Sequence, residues 1–375
     1  MYCLLTVSDP TSGESAGLRP TAIWSLLARN TNTFLHAMKD SNPHQISRRG
    51  FVRTTGMVAG GTALVAGFGP ALNSADQDVP LPRRVLGRTK LEVTCMTFGA
   101  APCGIARDVS VQEVADMVNL AIDLGINSID TAPRYGKSEE GIGRALGNRR
   151  KEVVLATKVW ADDVAEAEKS LSNSLRTLKT DWVDILYFHH LGDRNVGKAR
   201  VADGVFTWLL KQKQAGKCRF VGISGHNLPA RFVPFLESGE VDVILVAINF
   251  VDRYTYDFEQ RVLPSASKHN VGIVAMKVFG GPDPASGSWG TRNAKPMVGT
   301  ENIRNAIRYA MHVPGVATVN LGVHTADQLR ENIGLVKKAQ PLSPDEQASL
   351  DRLGRELSKR WGAHFGPVDE EKQAS

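Results

Sequence analysis

The feature that most constrains this chain is an alternation. Between Met96 and Lys337, short β-rich runs and amphipathic stretches take turns eight times over about 240 residues. MTFGA, Met96 to Ala100, comes first. The stripe Val114, Met117, Val118, Ala121 and Ile122 follows at helical spacing and stops at Gly125, a fitting carboxyl-terminal cap. Further strands are predicted over 127–131, 152–157, 183–188, 219–223, 243–247, 272–276 and 316–320. Helices are predicted over 111–124, 139–146, 164–178, 205–214, 230–236, 258–269, 303–311 and 326–337. Eight such units have the size and rhythm of an α/β (β/α)8 TIM barrel; a doubly wound sheet is the competing arrangement. RRVLGRTKLEVT, ahead of the series, reads as an N-terminal β-hairpin turning at Gly87-Arg88-Thr89. Behind it, 344–361 reads as an extra C-terminal helix capped by Ser343, with disordered residues after it.

Residues 76–375 are therefore assigned to the barrel, and 1–75 to a disordered extension with an export segment. Residues 1–46 are polar and without periodicity, and Met38 offers a more conventional start. Arg48 and Arg49 stand before an uncharged run rich in Gly and Ala, 56–71, which leads to a small-residue exit near Ala75. This has the layout of a twin-arginine (Tat) signal, and implies a bacterial protein exported to the periplasm through that machinery. The run is too short and too weakly apolar to span a bilayer. Net charge is +6 with Lys and Arg scattered, which reads as solvated surface rather than a nucleic-acid face. The four cysteines, Cys3, Cys95, Cys103 and Cys218, show no metal or disulfide spacing.

Chemistry-bearing residues collect where three successive strands end. IDTAPRY places Asp130 at one strand end and Tyr135 in the loop beyond. VVLATKVW closes on Lys158, and VDILYFHH closes on His189. In a parallel barrel these ends share one face. A phenol titrates near 10 and gives up its proton reluctantly. The Lys158 ammonium would lower that value, Asp130 would keep Lys158 charged, and His189 would hydrogen-bond a carbonyl oxygen. The set suits protonating an oxygen while hydride reaches the adjoining carbon. Gly141, Gly143 and Gly147 imitate a dinucleotide fingerprint but fall inside a helix, and read as helix packing. The loop 280–299 is too polar for core and reads as a lid. His226, His269 and His312 read as surface or loop residues.

These motifs, with DTAPRYG-SE-GIGRAL, TKVW, VGISGHN and GVHTADQLREN, resemble the aldo/keto reductase superfamily from about Leu81 to Asn332. The resemblance implies reduction of an aldehyde or ketone by NADPH, with NADH possible, and no metal or iron–sulfur cluster. Tyr135 would be the general acid, Lys158 and Asp130 its tuners, and His189 the orienting group, with Trp160 lining the substrate pocket. Gly99, Asp130 and Ser224 would lie at the nicotinamide end. Met276, Lys277 and Phe279 would reach from nicotinamide to pyrophosphate, and His324, Gln328, Glu331 and Asn332 would contact the adenosine. Gly225 replaces a usual Asn, Leu245 replaces a carboxamide-binding Gln, and no Lys or Arg holds the usual 2′-phosphate positions. The partner expected is a small carbonyl substrate, and the protein a monomer or weak dimer. The alternative is a nucleotide-binding accessory barrel with little turnover.

Overall fold

The computed structural model describes residues 79–370; the extension and export segment expected over 1–75 lie outside the described residues. Strands β1 (Arg83–Val85) and β2 (Glu92–Thr94) form an antiparallel hairpin, Val85 opposite Glu92. Eight parallel strands follow: β3 (Met96–Gly99), β4 (Ser128–Asp130), β5 (Val154–Val159), β6 (Val183–Phe188), β7 (Cys218–Gly225), β8 (Val243–Ala247), β9 (Gly272–Met276) and β10 (Val316–Gly322). They pair in chain order and close when β10 meets β3, giving the expected barrel.

Side chains alternate along a strand, and this sorts the apolar residues into two cores. On β5, Val154 and Ala156 join Ile185, Tyr187, Leu245 and Val274 inside the barrel. Leu155 and Val159 face outward into the larger layer beneath the helices. The hairpin plugs the amino-terminal end: Leu86, Leu91 and Val93 belong to the inner core, and Leu86 packs on Gly272 where β9 begins. Each fully buried Leu or Val is worth about 1.5–3 kcal/mol. The opposite end stays free for chemistry.

Helices wrap the outside, several with capping boxes or N-cap side chains. Ser110 and Glu113 cap Val111–Asp123 reciprocally, and Ser343 and Glu346 do the same for Pro344–Trp361. Gly141 and Gly143 are packing glycines, whereas Gly147 ends the helix Ser138–Leu146 at φ 35° with nothing near its Cβ position. A Cβ on Gly143 would fall 2.2 Å from the Thr177 carbonyl oxygen, and one on Gly141 2.4 Å from Val114.

Four local expectations need correction. Residues 147–152 form a 3-10 turn, so β5 begins later than the sequence predicts. The helices expected over 230–236 and 258–269 are each broken, into Pro229–Arg231 with Val233–Glu237, and Phe258–Arg261 with Leu263–Lys268. Pro234 and Pro264 lack the N–H a continuous helix needs. Short helices at Ala101–Ile105 and Val196–Ala199 were not anticipated. Finally, residues 362–370 are ordered against the barrel. Phe365 N–H donates to the Tyr256 hydroxyl at 2.7 Å, which donates to the Gly366 carbonyl at 3.0 Å, while Arg231 pairs with Glu370 and Arg261 with Asp369. Among the described residues, no helix is long and apolar enough to cross a membrane.

Candidate active site

Three strand ends bring the four chemical side chains together. Asp130 ends β4, Lys158 lies near the end of β5, and His189 directly follows β6, all on the inward parity of their strands. Lys158 is 1% exposed; its ammonium donates to Asp130 Oδ1 at 2.6 Å and to the Thr131 carbonyl at 2.7 Å. The other Asp130 oxygen accepts from Asn320 Nδ2 at 3.0 Å. Tyr135 reaches in from the loop after β4. Lys158 Nζ lies 4.9 Å from its ring centre, and the His189 ring is 6.0 Å away, edge to face. Asn320 escaped the sequence reading, although it is the one amide in the apolar run VATVNLG. A Cβ on Gly99 would come 2.4 Å from Asn320 Oδ1, so the glycine makes room for this amide.

One electrostatic expectation fails. Burial, followed by the charge of Asp130, pushes the Tyr135 phenol well above its ordinary value rather than below it. The Lys158 ammonium is turned toward Asp130 and Thr131, so its charge is largely spent there, and burial lowers its own value. The phenol therefore stays protonated across the working pH range. Burial, then Lys158 and His190, hold His189 well below the usual imidazole range, so its ring is neutral.

The cavity these groups face is open to solvent, about 900 Å³ with its mouth included, and has Asp130, Tyr135, Trp160, His189 and Met276 in its lining. Trp160 meets His189 edge-on at 5.4 Å and stacks on His190 at 5.5 Å. In a continued strand His190 would face away from His189. Instead β6 ends at Phe188, and His190 adopts a left-handed backbone, φ 58°, which cancels strand parity and turns both rings to one side. Its Nδ1 sits 3.0 Å from Asp193 in a geometry too bent for a hydrogen bond. His226 also lines the cavity, 4.6 Å from the His190 ring, contrary to its expected place on the surface.

A second cleft of about 790 Å³ adjoins this cavity and shares Pro102, Lys277, Trp289, Asn320 and Gly322 with it. Phe279, His324, Gln328, Glu331 and Asn332 line only the cleft, whereas Gly99, Asp130 and Met276 line only the cavity. Lys277, also left-handed at φ 55°, stands between them with burial lowering its ammonium to about 8. Ser224 lines neither; it is buried, and its Oγ accepts the His190 N–H at 3.3 Å. Leu245 lies in the inner core with Tyr187. Gln328 accepts the His324 N–H at 2.8 Å, and its own N–H caps onto Thr325.

Four lining atoms, His189 Nδ1, His190 Nδ1, Asn320 Oδ1 and His324 Nε2, are buried without a hydrogen-bond partner. Such atoms in a long, joined groove fit a polar, extended ligand such as a dinucleotide. The loop 280–299 roofs the groove. Trp289 contacts Lys277 at 4.8 Å, and Arg292 reaches across to Asp108 at 2.8 Å and Glu113 at 3.2 Å. Lys295, on the same loop, enters the cleft lining and supplies a cation near the adenosine candidates that spacing could not reveal. Among the described residues, no three His, Cys, Asp or Glu converge as a metal site requires.

The Aldo/keto reductase family pattern matches residues 95–297, over half of the chain. This protein belongs to the aldo/keto reductase family. It is 29% identical to L-galactose dehydrogenase of Arabidopsis thaliana, across 70% of this chain and 91% of that one. A putative aldo-keto reductase from Pseudomonas aeruginosa is 27% identical with a TM-score of 0.57, covering 71% of this chain and 99% of the other. The same fold is seen in an aldo/keto reductase from Klebsiella pneumoniae in complex with NADP and acetate (23% identity, TM-score 0.57, 72% and 94% coverage). Its named relatives are oxidoreductases, and this aldo/keto reductase is one by family.

The histidines give a pH prediction for this reductase. Burial lowers His189, His190 and His226 below the ordinary imidazole value. Unfolding lets each take up a proton near pH 6.5 that the folded protein refuses. Their contribution to stability is thus present above about pH 6.5 and lost as pH falls below it. Burial raises Glu139 and Glu259, which act with the opposite sign, nearer carboxylate pH. The melting temperature should therefore drop between pH 7 and 5.5, and less steeply in His226→Gln. Equal slopes in parent and variant would remove His226 from the account.

Proposed function

We propose that the protein catalyses NAD(P)H-dependent reduction of an aldehyde or ketone to an alcohol. The observation that carries this reading is the meeting of Asp130, Tyr135, Lys158 and His189 at one cavity, joined to a groove lined by the nucleotide candidates. Reduced nicotinamide, when bound, supplies hydride. Tyr135 Oη holds the proton destined for the carbonyl oxygen. Neutral His189 orients that oxygen by a hydrogen bond, and Trp160 walls the cavity beside it. The Lys158–Asp130 pair keeps a fixed dipole behind the phenol, and the Asn320 amide holds Asp130 in register. Phe279, Lys277, His324, Gln328, Glu331 and Asn332 would hold the nucleotide.

The reading is tested with the full chain, NADPH and NADH in turn, and a reactive aromatic aldehyde, following cofactor absorbance. Turnover supports it. Nucleotide binding without turnover for any aldehyde or ketone tried would favour an accessory barrel instead.

NADPH is the favoured cofactor. The Klebsiella relative's NADP supports this, as does Lys295 in the cleft lining. Lys295→Ala should raise KM for NADPH about fivefold and leave NADH nearly unchanged, the size expected for an exposed charge pair near 1 kcal/mol. Equal effects on both cofactors would take the 2′-phosphate away from Lys295.

The export reading rests on Arg48, Arg49 and the uncharged run after them. Residues 1–75 fused to a folded reporter should carry it to the periplasm of a bacterial host. Replacing both arginines by lysine should stop that. Export that survives the replacement would dismiss the twin-arginine route.

A further inference from the structure

We propose that the cavity selects carbonyl compounds that also carry a carboxylate, and that Arg134 receives it. This deepens the reductase reading and rests on it.

The cavity lining holds more cationic than anionic side chains. Arg134 and Lys277 line it, and Asp130 is its sole acidic residue. Both Asp130 oxygens are already engaged, by Lys158 and by Asn320. No lining acid therefore remains to balance Arg134.

Two guanidinium groups lie on the Trp160 indole. Arg194 is 4.8 Å from the ring centre and pairs with Asp162 at 3.0 Å. Arg134 is closer, at 4.0 Å, and among the described residues no carboxylate stands within ion-pair distance of it. One cation on this indole is neutralised and the other is not. An indole face fixes the plane of a guanidinium while leaving its edge N–H groups free to donate. That edge matches the two oxygens of a carboxylate, a planar fork meeting a planar fork. Lysine could not provide this, since its ammonium is a point charge on a flexible stem.

Position adds direction. Arg134 immediately precedes Tyr135, and Trp160, on which it lies, touches His189 edge-on at 5.4 Å. A carboxylate on Arg134 would therefore sit about one indole width from the Tyr135–His189 pair. That span suits a substrate whose carbonyl and carboxylate are separated by a short chain or one aromatic ring. The nucleotide candidates Phe279, His324, Gln328, Glu331 and Asn332 line the cleft, which Arg134 does not enter. The depressed imidazole of His189 reports the same positive field, with Lys158, His190, Arg134 and Arg194 all contributing after burial.

The test compares 4-carboxybenzaldehyde with its methyl ester, whose aldehyde is the more electrophilic but whose far end is neutral, so a preference for the acid would not come from intrinsic reactivity. With the full chain, kcat/KM should favour the acid at least tenfold, and the preference should shrink as salt rises. Arg134→Ala should lower the acid-to-ester ratio about tenfold or more, and Arg134→Lys should lower it by less. Reduction of the ester with no preference for the acid, or a ratio unmoved by Arg134→Ala, would overturn the proposal and leave the reductase reading standing. Should neither aldehyde be reduced, that reading fails, and binding decides the present one. Tryptophan fluorescence would then be titrated with 4-(hydroxymethyl)benzoate and its methyl ester. Quenching by the carboxylate alone, lost in Arg134→Ala, supports the site; equal quenching by both, or none, dismisses it.

Discussion

Tyr135→Phe should cut aldehyde reduction by about 10²–10⁴-fold, the span that general acid catalysis covers, while nucleotide binding persists. The variant removes one oxygen and leaves the ring beside Lys158 and His189. No neighbour is poised to replace it. Lys158 spends its protons on Asp130 and Thr131, and the His189 ring is neutral through the physiological range. Because the phenol sits well above its ordinary value, parent activity should show no loss of Tyr135's proton between pH 6 and 9. Stopped turnover with intact nucleotide fluorescence quenching is the expected pair of results. A variant with a tenth or more of parental kcat would move the proton to His189 or to water.

Asp130→Ala should be strongly destabilising. It would strand the Lys158 ammonium, 1% exposed, with only the Thr131 carbonyl for a partner. Breaking a buried pair by removing one member costs about 3–5 kcal/mol. In a barrel of this size that is on the order of 10 °C in melting temperature. Burial already lowers the Lys158 value, so the variant should regain stability as rising pH strips the proton. Asp130→Asn combined with Lys158→Met should be more stable than Asp130→Ala, because no charge is left unpaired. Thermal melting at pH 7 and pH 9 separates these cases. An Asp130→Ala protein that melts with the parent would mean water reaches Lys158.

The two variants probe different links. Tyr135 holds a proton and contributes little to the fold; the Asp130–Lys158 pair belongs to both site and fold. A reductase inactive through Asp130→Ala is therefore uninformative about catalysis until its melting is known.

The barrel could be read from the chain because its information is local and repeated. Apolar runs such as VVLATKV and VDILYF, separated by stripes at helical spacing, specify strand and helix without knowledge of partners. Asp130, Lys158 and His189 were legible for the same reason, since parity along a strand fixes which residues face inward, and Tyr135 follows in the loop after the first of these strands. What escaped depends on departures from that periodicity. His190 joins the site because a left-handed residue breaks parity, and His226 because β7 runs on to Gly225. Asn320 reaches Asp130 across 190 positions of chain through the β10–β3 closure. Lys295 and Arg292 enter from a loop whose path no periodicity dictates. Most telling is the Tyr135 phenol. The sequence placed an ammonium near it and implied a lowered value, yet desolvation and the direction of the Lys158 hydrogen bonds reverse the sign. The sequence by itself determined that Asp130, Lys158 and His189 would share one face. Burial and orientation, properties of the folded whole, decided what charge each of them carries.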